Sequence, residues 1–236
     1  MTARPWICAT LVALGMGVAQ AASPTHLYAF DNSLDDSFGG PALISFGGTL
    51  GATHYSFDAN QGLAVDNAVD PDVYTIDIRF VFASTSGYRR IIDFQGGGSD
   101  SGLYILNSAL NFYPVITGPD SVVVDGQPVR VTITRDEADN VTGYVDGVQQ
   151  ISFLDDTGLA RFGTASNTAR FFIDDNVVAG EASAGSVDSI AIYATALSAQ
   201  EVAALAPAVP EPGTYALMLV GLAGVLALGK HRRQRL

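Results

Sequence analysis

The most regular alternation in this chain is Tyr74-Thr75-Ile76-Asp77-Ile78-Arg79-Phe80-Val81-Phe82. Successive side chains of a β-strand point to opposite faces of a sheet. The even-numbered residues of this run are all aliphatic or aromatic and therefore share one face, whereas the odd-numbered residues are mostly polar. The pattern predicts a long strand that packs on a core with one face and meets solvent or a ligand with the other.

The surrounding sequence predicts an all-β domain. From residue 25 to residue 193, short β-type runs are separated by Gly, Asp, Asn and Pro, and no helical periodicity is sustained over ten residues. The run 129–135 leads through a polar turn into 141–148, where Asp146-Gly147 is typical of a hairpin turn. The glycine-rich segment 95–102 is expected to connect two strands, because it lacks the lysine and the following helix of a phosphate-binding loop.

One short helix is expected at the end of this domain. In Leu197-Ser198-Ala199-Gln200-Glu201-Val202, Ser198 is a suitable N-cap and Glu201 can complete a capping box. Leu197 and Val202 have the spacing of a hydrophobic staple across the helix start. We expect a two-turn helix that ends near Leu205 and packs on the sheet.

The first 21 residues have the organisation of a secretory signal peptide. Arg4 is a basic start, an apolar segment runs from residue 6 to residue 18, and Ala19 and Ala21 are the small residues expected before cleavage at residue 22. Cys8, the single cysteine of the chain, is removed with this segment. We therefore expect an exported protein whose mature chain has no cysteine.

The segment 207–236 reads as a second targeting signal. Sixteen apolar residues at about 214–229 would form a helix about 24 Å long, slightly short of a hydrocarbon core of about 30 Å. The basic end 230–236 follows, with the cations Lys230, Arg232, Arg233 and Arg235. Such side chains reach the lipid headgroups from a short helix. The segment is expected to span a membrane with its basic end in the cytoplasm and the preceding residues outside.

Between these ends, residues 22–206 are strongly acidic. They contain seven arginines, no lysine and 23 carboxylates, so their formal net charge is −16. Nucleic acids and anionic lipid surfaces require a basic face, so neither is expected as a partner of this domain. Twenty of the acidic residues are aspartates, which suit turns and the ligation of hard cations better than long helices.

The C-terminal segment resembles a known sorting signal. Its residues Pro210-Glu211-Pro212, the apolar run and the arginine-rich end resemble the PEP-CTERM tail of exopolysaccharide-producing Gram-negative bacteria. The resemblance implies that Pro210, Glu211 and Pro212 are the recognition motif and that an exosortase processes the tail, in addition to the signal peptidase expected at the N-terminus. It also implies an inner-membrane anchor before processing and delivery to the cell surface or extracellular matrix afterwards.

The domain 22–206 carries a second resemblance over nearly its whole length. It is similar to the LamG-like, concanavalin A-like jelly-roll family at Tyr28-x-Phe30-Asp31, at Tyr144-Val145-Asp146-Gly147 and at Val187-Asp188-Ser189-Ile190-x-Ile192-Tyr193. The resemblance implies a single jelly-roll sandwich with one short C-terminal helix. Family members often carry tryptophans that this domain lacks, so an aromatic platform for sugar stacking is in doubt, although tyrosines are present.

The family also implies a place for a metal ion. In related jelly rolls the first and last strands are neighbours, which would bring Asp31 and Asp36 close to Asp188. Carboxylate oxygens are the ligands that calcium takes, so these three residues are expected to bind a structural calcium ion. The alternative interpretation is that they cap turns and strand edges.

No catalytic residue is expected. Jelly-roll glucanases carry a Glu-x-Asp-x-x-Glu pattern on one strand, which is missing here, and Glu137, Glu181 and Glu201 are the only glutamates of the domain. His26 and His54 are not accompanied by a nucleophile-elbow pattern. We therefore predict that the protein is not an enzyme, with glycoside hydrolase as a remote alternative.

Two functions of different classes remain open from the sequence. The first is a non-catalytic carbohydrate-binding or adhesion module that acts on exopolysaccharide or another glycan. The second is a structural surface or matrix protein without a specific ligand.

Overall fold

The computed structural model describes residues 22–163 and 165–205, and within them the regular secondary structure is β-strand apart from one short helix. The strands are β1 (His26–Tyr28), β2 (Ile44–Phe46), β3 (Thr49–Leu50), β4 (Tyr55–Phe57), β5 (Gly62–Val65), β6 (Tyr74–Phe82), β7 (Tyr88–Asp93), β8 (Gly102–Leu106), β9 (Ala109–Tyr113), β10 (Ile116–Thr117), β11 (Val129–Arg135), β12 (Asn140–Val145), β13 (Val148–Leu154), β14 (Ala169–Phe171) and β15 (Gly185–Tyr193). One helix follows them, α1 (Ala199–Leu205).

These strands form two antiparallel sheets that face each other. The first sheet has the order β13-β12-β11-β6-β15-β4-β3, with β1 added beside β15, and the second has the order β10-β9-β8-β7-β14-β5-β2. The expected adjacency of the first and last strands is confirmed, because His26 pairs with Ile192. The described chain is therefore an all-β jelly-roll sandwich with one short C-terminal helix, as the sequence predicts.

The core lies between the two sheets. The predicted strand 74–82 is β6, and its five large residues at even positions are at most 1% exposed. They meet inward-facing side chains of the second sheet, which include Ile92, Leu103, Phe112 and Phe171. This burial of apolar surface is the main stabilising contribution to the fold.

The polar face of β6 differs from the expectation, because much of it is covered. Asp77 is only 3% exposed, and its carboxylate accepts bonds from Arg130 Nε at 2.6 Å, Arg130 Nη2 at 2.7 Å and Thr132 Oγ1 at 2.6 Å. Thr75 is covered by the segment before α1, whose Leu197 amide donates to Thr75 Oγ1 at 2.9 Å. Alternation identifies a face of a strand but does not reveal which later segment crosses it.

The predicted helix is confirmed together with its cap. Ser198 Oγ donates to Glu201 Oε2 at 2.7 Å, and the Ser198 amide donates to the same oxygen at 2.8 Å. Leu197 and Val202 are buried in a small cluster with Tyr144 and Tyr193 on the outer side of the first sheet. Helix α1 therefore covers part of the face of this sheet that points away from the core.

The predicted signal peptide and sorting tail lie outside the described residues, as do Ala19, Ala21, Pro210, Glu211, Pro212 and the basic end 230–236. Among the residues that are described, no helix has the length and apolarity needed to cross a membrane.

Candidate functional site

The outer face of the second sheet carries an unusual set of polar and aromatic residues. Strand alternation places them there, because Tyr104 lies between two core residues of β8, Asn111 between two core residues of β9 and Arg170 between two core residues of β14. This face lies on the side of the sandwich opposite to α1.

A β-bulge in β7 turns an arginine onto this face. The pairing of β7 with β8 shifts register between Arg90 and Ile92, and such a bulge re-aims neighbouring side chains. Ile91 and Ile92 both enter the core. Arg90 lies instead on the outer side, with its guanidinium carbon 4.4 Å from the centroid of the Tyr104 ring.

Arg90 is completely buried and is held by several acceptors. Its Nη2 donates to Asp175 Oδ2 and to the Tyr104 hydroxyl. Its Nη1 donates to the main-chain oxygen of Ser101 at 3.2 Å. The Tyr104 hydroxyl in turn donates to the main-chain oxygen of Asp100 at 2.8 Å, so one network joins β7, β8 and the loop that connects them.

Four carboxylates surround this one guanidinium, and we call them the acidic cluster: Asp93, Asp100, Asp175 and Glu181. Besides Asp175, Glu181 Oε2 lies 3.9 Å and Asp100 Oδ1 lies 3.7 Å from Arg90 Nη2, and Asp93 Oδ2 lies 3.9 Å from Arg90 Nη1. Asp93 also lies 3.6 Å from Arg170. Negative charge exceeds positive charge in a poorly solvated place, where charge interactions are strong.

The loop between β14 and β15 brings two members of the cluster over Arg90. Asp174 Oδ2 accepts bonds from the amides of Gly180 at 2.8 Å and Glu181 at 3.0 Å. The Arg90 amide donates to the main-chain oxygen of Glu181 at 2.8 Å. Asp175 Oδ1 accepts two further main-chain amides of the same loop. The aspartates therefore act first as turn-forming residues, and the turn positions Glu181.

Two carboxylates of the acidic cluster remain accessible. The side chains of Asp100 and Glu181 are 22% and 13% exposed, whereas those of Asp93 and Asp175 are 0% exposed. A ligand approaching the outer face would therefore meet Asp100 and Glu181 first.

The environment of Glu181 changes its ionisation. Burial raises the pKa of Glu181 to about 7, and the negative charges of Asp100 and Asp174 act in the same direction, whereas a hydrogen bond with Tyr104 and the positive charge of Arg90 oppose the shift. Glu181 thus gains or loses its proton near neutral pH, whereas an ordinary glutamate is fully ionised there.

This shift predicts a pH dependence of stability. A glutamate whose pKa is raised from 4.5 to about 7 on folding contributes stability that is fully present below about pH 4.5 and is lost as the pH rises through 7. We expect Glu181→Gln to be more stable than the wild type at pH 8 and to show a smaller loss between pH 5 and pH 8 in urea unfolding. Glu137→Gln, at an exposed turn, is the matched control, and an unchanged pH profile in Glu181→Gln would contradict the assignment.

A group of three tyrosines borders the accessible side of the acidic cluster, and we call it the tyrosine cluster: Tyr88, Tyr104 and Tyr113. The ring of Tyr88 meets the rings of Tyr104 and Tyr113 edge to face, with centroids 5.4 and 5.6 Å apart. Tyr104 is buried beneath, while Tyr88 and Tyr113 are only partly buried. The missing tryptophans leave an aromatic platform in doubt, and Tyr88 and Tyr113 are the partly exposed aromatic residues of this cluster.

The three residues predicted to bind calcium have different surroundings. Asp36 is buried, and its carboxylate is bonded to His26 Nδ1 at 2.7 Å and to the amides of Leu27, Phe38 and Gly40 at 2.8, 3.1 and 2.9 Å. Asp36 therefore closes the turn after β1, which is the turn-capping alternative. Asp31 is exposed after the same strand.

Asp188 is the extra residue of a bulge between β15 and β6. It is exposed and borders a shallow cleft of about 200 Å³ with Arg79, Arg130 and Asp146. Among the described residues, Asp31, Asp36 and Asp188 do not form a group of ligand atoms that could surround a metal ion. A calcium ion at Asp31 and Asp188 stays a prediction that would need main-chain or water oxygens as well.

The sequence did not predict the carboxylates that lie close together in the structure. One oxygen each of Asp100, Asp175 and Glu181 lies within 4.8 Å of the others, but the Arg90 guanidinium already supplies positive charge there. The available signals were the loop 95–102, interpreted only as a connection, and Glu181, one of three glutamates in an aspartate-rich domain. Neither signal shows that the two loops meet over one arginine.

Two family models match the chain. Residues 48–203 match the model described as the concanavalin A-like lectin/glucanases superfamily, which covers about two thirds of the sequence. Residues 208–233 match the PEP-CTERM protein-sorting motif. Both resemblances expected from the sequence are confirmed, and no curated protein sequence matches the chain.

Solved structures share the fold at low sequence identity. Domain 4 of AbnA, a GH43 extracellular arabinanase from Geobacillus stearothermophilus solved with arabinotriose, has a TM-score of 0.59 and 19% identity, covering 79% of this chain and 100% of that one. The ligand binding domain of botulinum neurotoxin serotype D in complex with N-acetylneuraminic acid has a TM-score of 0.56 and 15% identity over 78% and 50%. The Trypanosoma rangeli sialidase in complex with 2,3-difluorosialic acid has a TM-score of 0.63 and 15% identity over 84% and 35%.

Proposed function

The chain belongs to the concanavalin A-like lectin/glucanases superfamily, and on this basis we propose that its domain is a non-catalytic carbohydrate-binding module. The observation that carries the proposal is the tyrosine cluster beside accessible carboxylates on the outer face of the second sheet. The arabinanase domain and the neurotoxin domain, which share the fold, were solved with sugars.

The chemistry of this face suits a sugar chain. Partly exposed aromatic rings cover the apolar faces of a pyranose, and a tyrosine adds a hydroxyl at its wet end. Asp100 and Glu181 offer oxygens that accept hydrogen bonds from sugar hydroxyls. Because Tyr104 and Arg90 are buried beneath the two accessible tyrosines, the platform is held in place before a ligand arrives, which lowers the cost of binding.

We expect Tyr88→Ala and Tyr113→Ala each to weaken glycan binding by about tenfold, because a lost aromatic contact is worth roughly 1–1.5 kcal/mol. The measurement is the affinity of the purified full-length chain, in mild detergent, for the host exopolysaccharide and for an array of glycans. Tyr88→Phe and Tyr113→Phe retain the rings and should bind nearly as the wild type does.

Phe46→Ala is the control for this experiment. Phe46 is 48% exposed on β2 at the far edge of the same sheet, so its loss should leave binding unchanged. If the wild type binds no glycan, the domain is better described as a structural surface or matrix protein without a specific ligand.

The proposal that the module is non-catalytic has its own support. A retaining glycoside hydrolase needs two carboxyl groups about 5–5.5 Å apart that flank the scissile bond. Asp100 and Glu181 are close enough, with oxygens within 4.8 Å. However, Asp100 Oδ1 and Glu181 Oε2 lie 3.7 and 3.9 Å from the buried Arg90 Nη2, so both carboxylates are turned toward a buried cation. Release of reducing sugar from a bound glycan would overturn this point and favour a glycoside hydrolase.

The sorting motif at 208–233 completes the proposal. A signal peptidase would remove 1–21 on export, and the C-terminal helix would hold the protein in the inner membrane. An exosortase would recognise Pro210-Glu211-Pro212 and process the tail. The module would then act at the cell surface or in the extracellular matrix, where exopolysaccharide is the glycan at hand.

A further inference from the structure

The centre of the outer face of the second sheet is covered. Arg90, Tyr104 and Asn111 lie side by side there, because β7, β8 and β9 pair in register at these residues. Arg90 and Tyr104 are 0% exposed and Asn111 is 4% exposed, although these residues lie on the side of the sheet that points away from the core. A glycan on this face would therefore contact the partly buried rings of Tyr88 and Tyr113 and not the strands beneath them.

Two loops border the tyrosine cluster. Arg89 Nη1 donates to the main-chain oxygens of Tyr88 and Gly180, each at 2.9 Å, which attaches the loop between β14 and β15 beside Tyr88. The Tyr104 hydroxyl donates to the main-chain oxygen of Asp100 at 2.8 Å, which attaches the loop between β7 and β8 beside Tyr104. The part of the cluster that a ligand can reach is therefore bordered by fixed main chain.

The two accessible rings do not lie in one plane. The planes of Tyr88 and Tyr113 are 84° apart, and their centroids are 5.6 Å apart. A pyranose is roughly flat and packs its apolar face on an aromatic face, so it can lie parallel to only one of these rings while the other stands across its edge. Because the rings also contact each other, they form one corner and do not offer two successive stacking positions.

Resting on the proposed carbohydrate-binding function, we infer that the domain recognises the terminal sugar unit of a chain or branch and not the interior of an extended chain. One tyrosine contacts the face of that unit, and the other contacts its edge. The ring at the edge blocks one of the two directions in which a chain continues, so the unit that fits the corner has a neighbour on one side only. Tyr88 and Tyr113 thereby determine which position of a polysaccharide is bound.

The test changes the number of chain ends in a glycan without changing its composition. The probe is the host exopolysaccharide, either intact or partially hydrolysed with acid. It competes in solution with immobilised exopolysaccharide for the purified full-length chain in mild detergent. Each cleavage creates one new end of each kind and leaves most interior units unchanged. By mass action, a treatment that raises the number of ends about tenfold should lower the mass of glycan needed for half-maximal competition by about tenfold.

A chemical modification identifies which end is bound. Borohydride opens the sugar ring at the reducing end and leaves the non-reducing ends intact. Unchanged competition by the reduced fragments would assign the corner to non-reducing ends, and loss of competition would assign it to the reducing end. Both results support recognition of a terminal unit.

A variant assigns the preference for chain ends to the corner. Tyr88→Ala removes one side of it and leaves Tyr113 to pack on interior units. Besides its lower affinity, we expect this variant to lose the preference, so that intact and hydrolysed glycan compete equally by mass. Tyr88→Phe keeps the ring and should keep the preference, as should Phe46→Ala at the far edge of the sheet. A merely structural role of Tyr88 would weaken all competition and leave the preference unchanged.

Equal competition by intact and hydrolysed glycan in the wild type, or weaker competition by the fragments, would overturn the inference while leaving the carbohydrate-binding function in place. If only a different polysaccharide binds, it is hydrolysed and compared in the same way. Failure of every glycan to bind would overturn both the inference and the proposed function. The comparison in the wild type decides the matter if the Tyr88 variant does not fold.

Discussion

Replacing Arg90 with methionine is expected to destabilise the protein by about 3–5 kcal/mol, because removing one partner of a buried ion pair leaves the opposite charge uncompensated. Methionine fills a similar space but offers no donor to Asp175 Oδ2 or to the hydroxyl of Tyr104. The carboxylates that share Arg90 would then repel one another in a place that excludes water. The measurement is urea unfolding at pH 7, with the free energy extrapolated to water.

The pH dependence of this variant has a defined sign. Without Arg90, protonation relieves the repulsion between Asp93, Asp100, Asp175 and Glu181, so the loss of stability should shrink as the pH falls and grow as it rises. Arg79→Met is the matched control, because Arg79 forms no ion pair with the residues that the structure describes. A loss below about 1 kcal/mol in Arg90→Met, or one equal to that of the control, would contradict a central role for Arg90.

The second large effect is expected at Phe172. This residue is 0% exposed, its ring stacks on Phe57 with centroids 4.5 Å apart and planes at 15°, and it meets Phe80 and Phe82 at 5.5 and 5.8 Å. Truncation leaves a cavity against three rings of the first sheet, because Phe57 belongs to β4 and Phe80 and Phe82 belong to β6. We expect Phe172→Ala to lose about 3–5 kcal/mol in urea unfolding.

A second substitution separates the effect of losing the ring from the effect of the backbone conformation. Phe172 has a φ of 67°, which is unfavourable for any residue with a Cβ and favourable for glycine. Phe172→Gly should therefore be less destabilised than Phe172→Ala, by up to about 1 kcal/mol. Phe38→Ala, at a position 60% exposed, should stay within about 0.5 kcal/mol of the wild type. Equal stability of the Phe38 and Phe172 alanine variants would show that the aromatic group contributes little.

The sequence predicted the features that neighbouring residues determine. Strand β6 follows from strict alternation, and the start of α1 follows from Ser198 and Glu201, which are three residues apart. The adjacency of β1 and β15 came from the family resemblance, since no local pattern shows which distant strands pair.

The candidate site could not be predicted in the same way. Arg90 and Asp175 are 85 residues apart in sequence, and their meeting depends on a bulge that breaks the alternation of β7. The four residues 89–92 therefore show no regular alternation of polar and apolar side chains. The predicted metal ligands show the opposite case. Asp36 is an aspartate near the expected strands, but its carboxylate oxygens are already hydrogen-bonded to His26 and to three main-chain amides.

The positions of the domain ends determine how the module is displayed. Strand β1 begins in the first sheet at His26, and the described chain ends at Leu205 in α1, on the outer side of that same sheet. The tyrosine cluster lies on the outer side of the other sheet, and packed sheets are about 10 Å apart. A tether that continues from Leu205 is therefore attached at the back of the sandwich. The face that we propose to bind glycan therefore lies on the opposite side of the sandwich from Leu205, where the described chain ends.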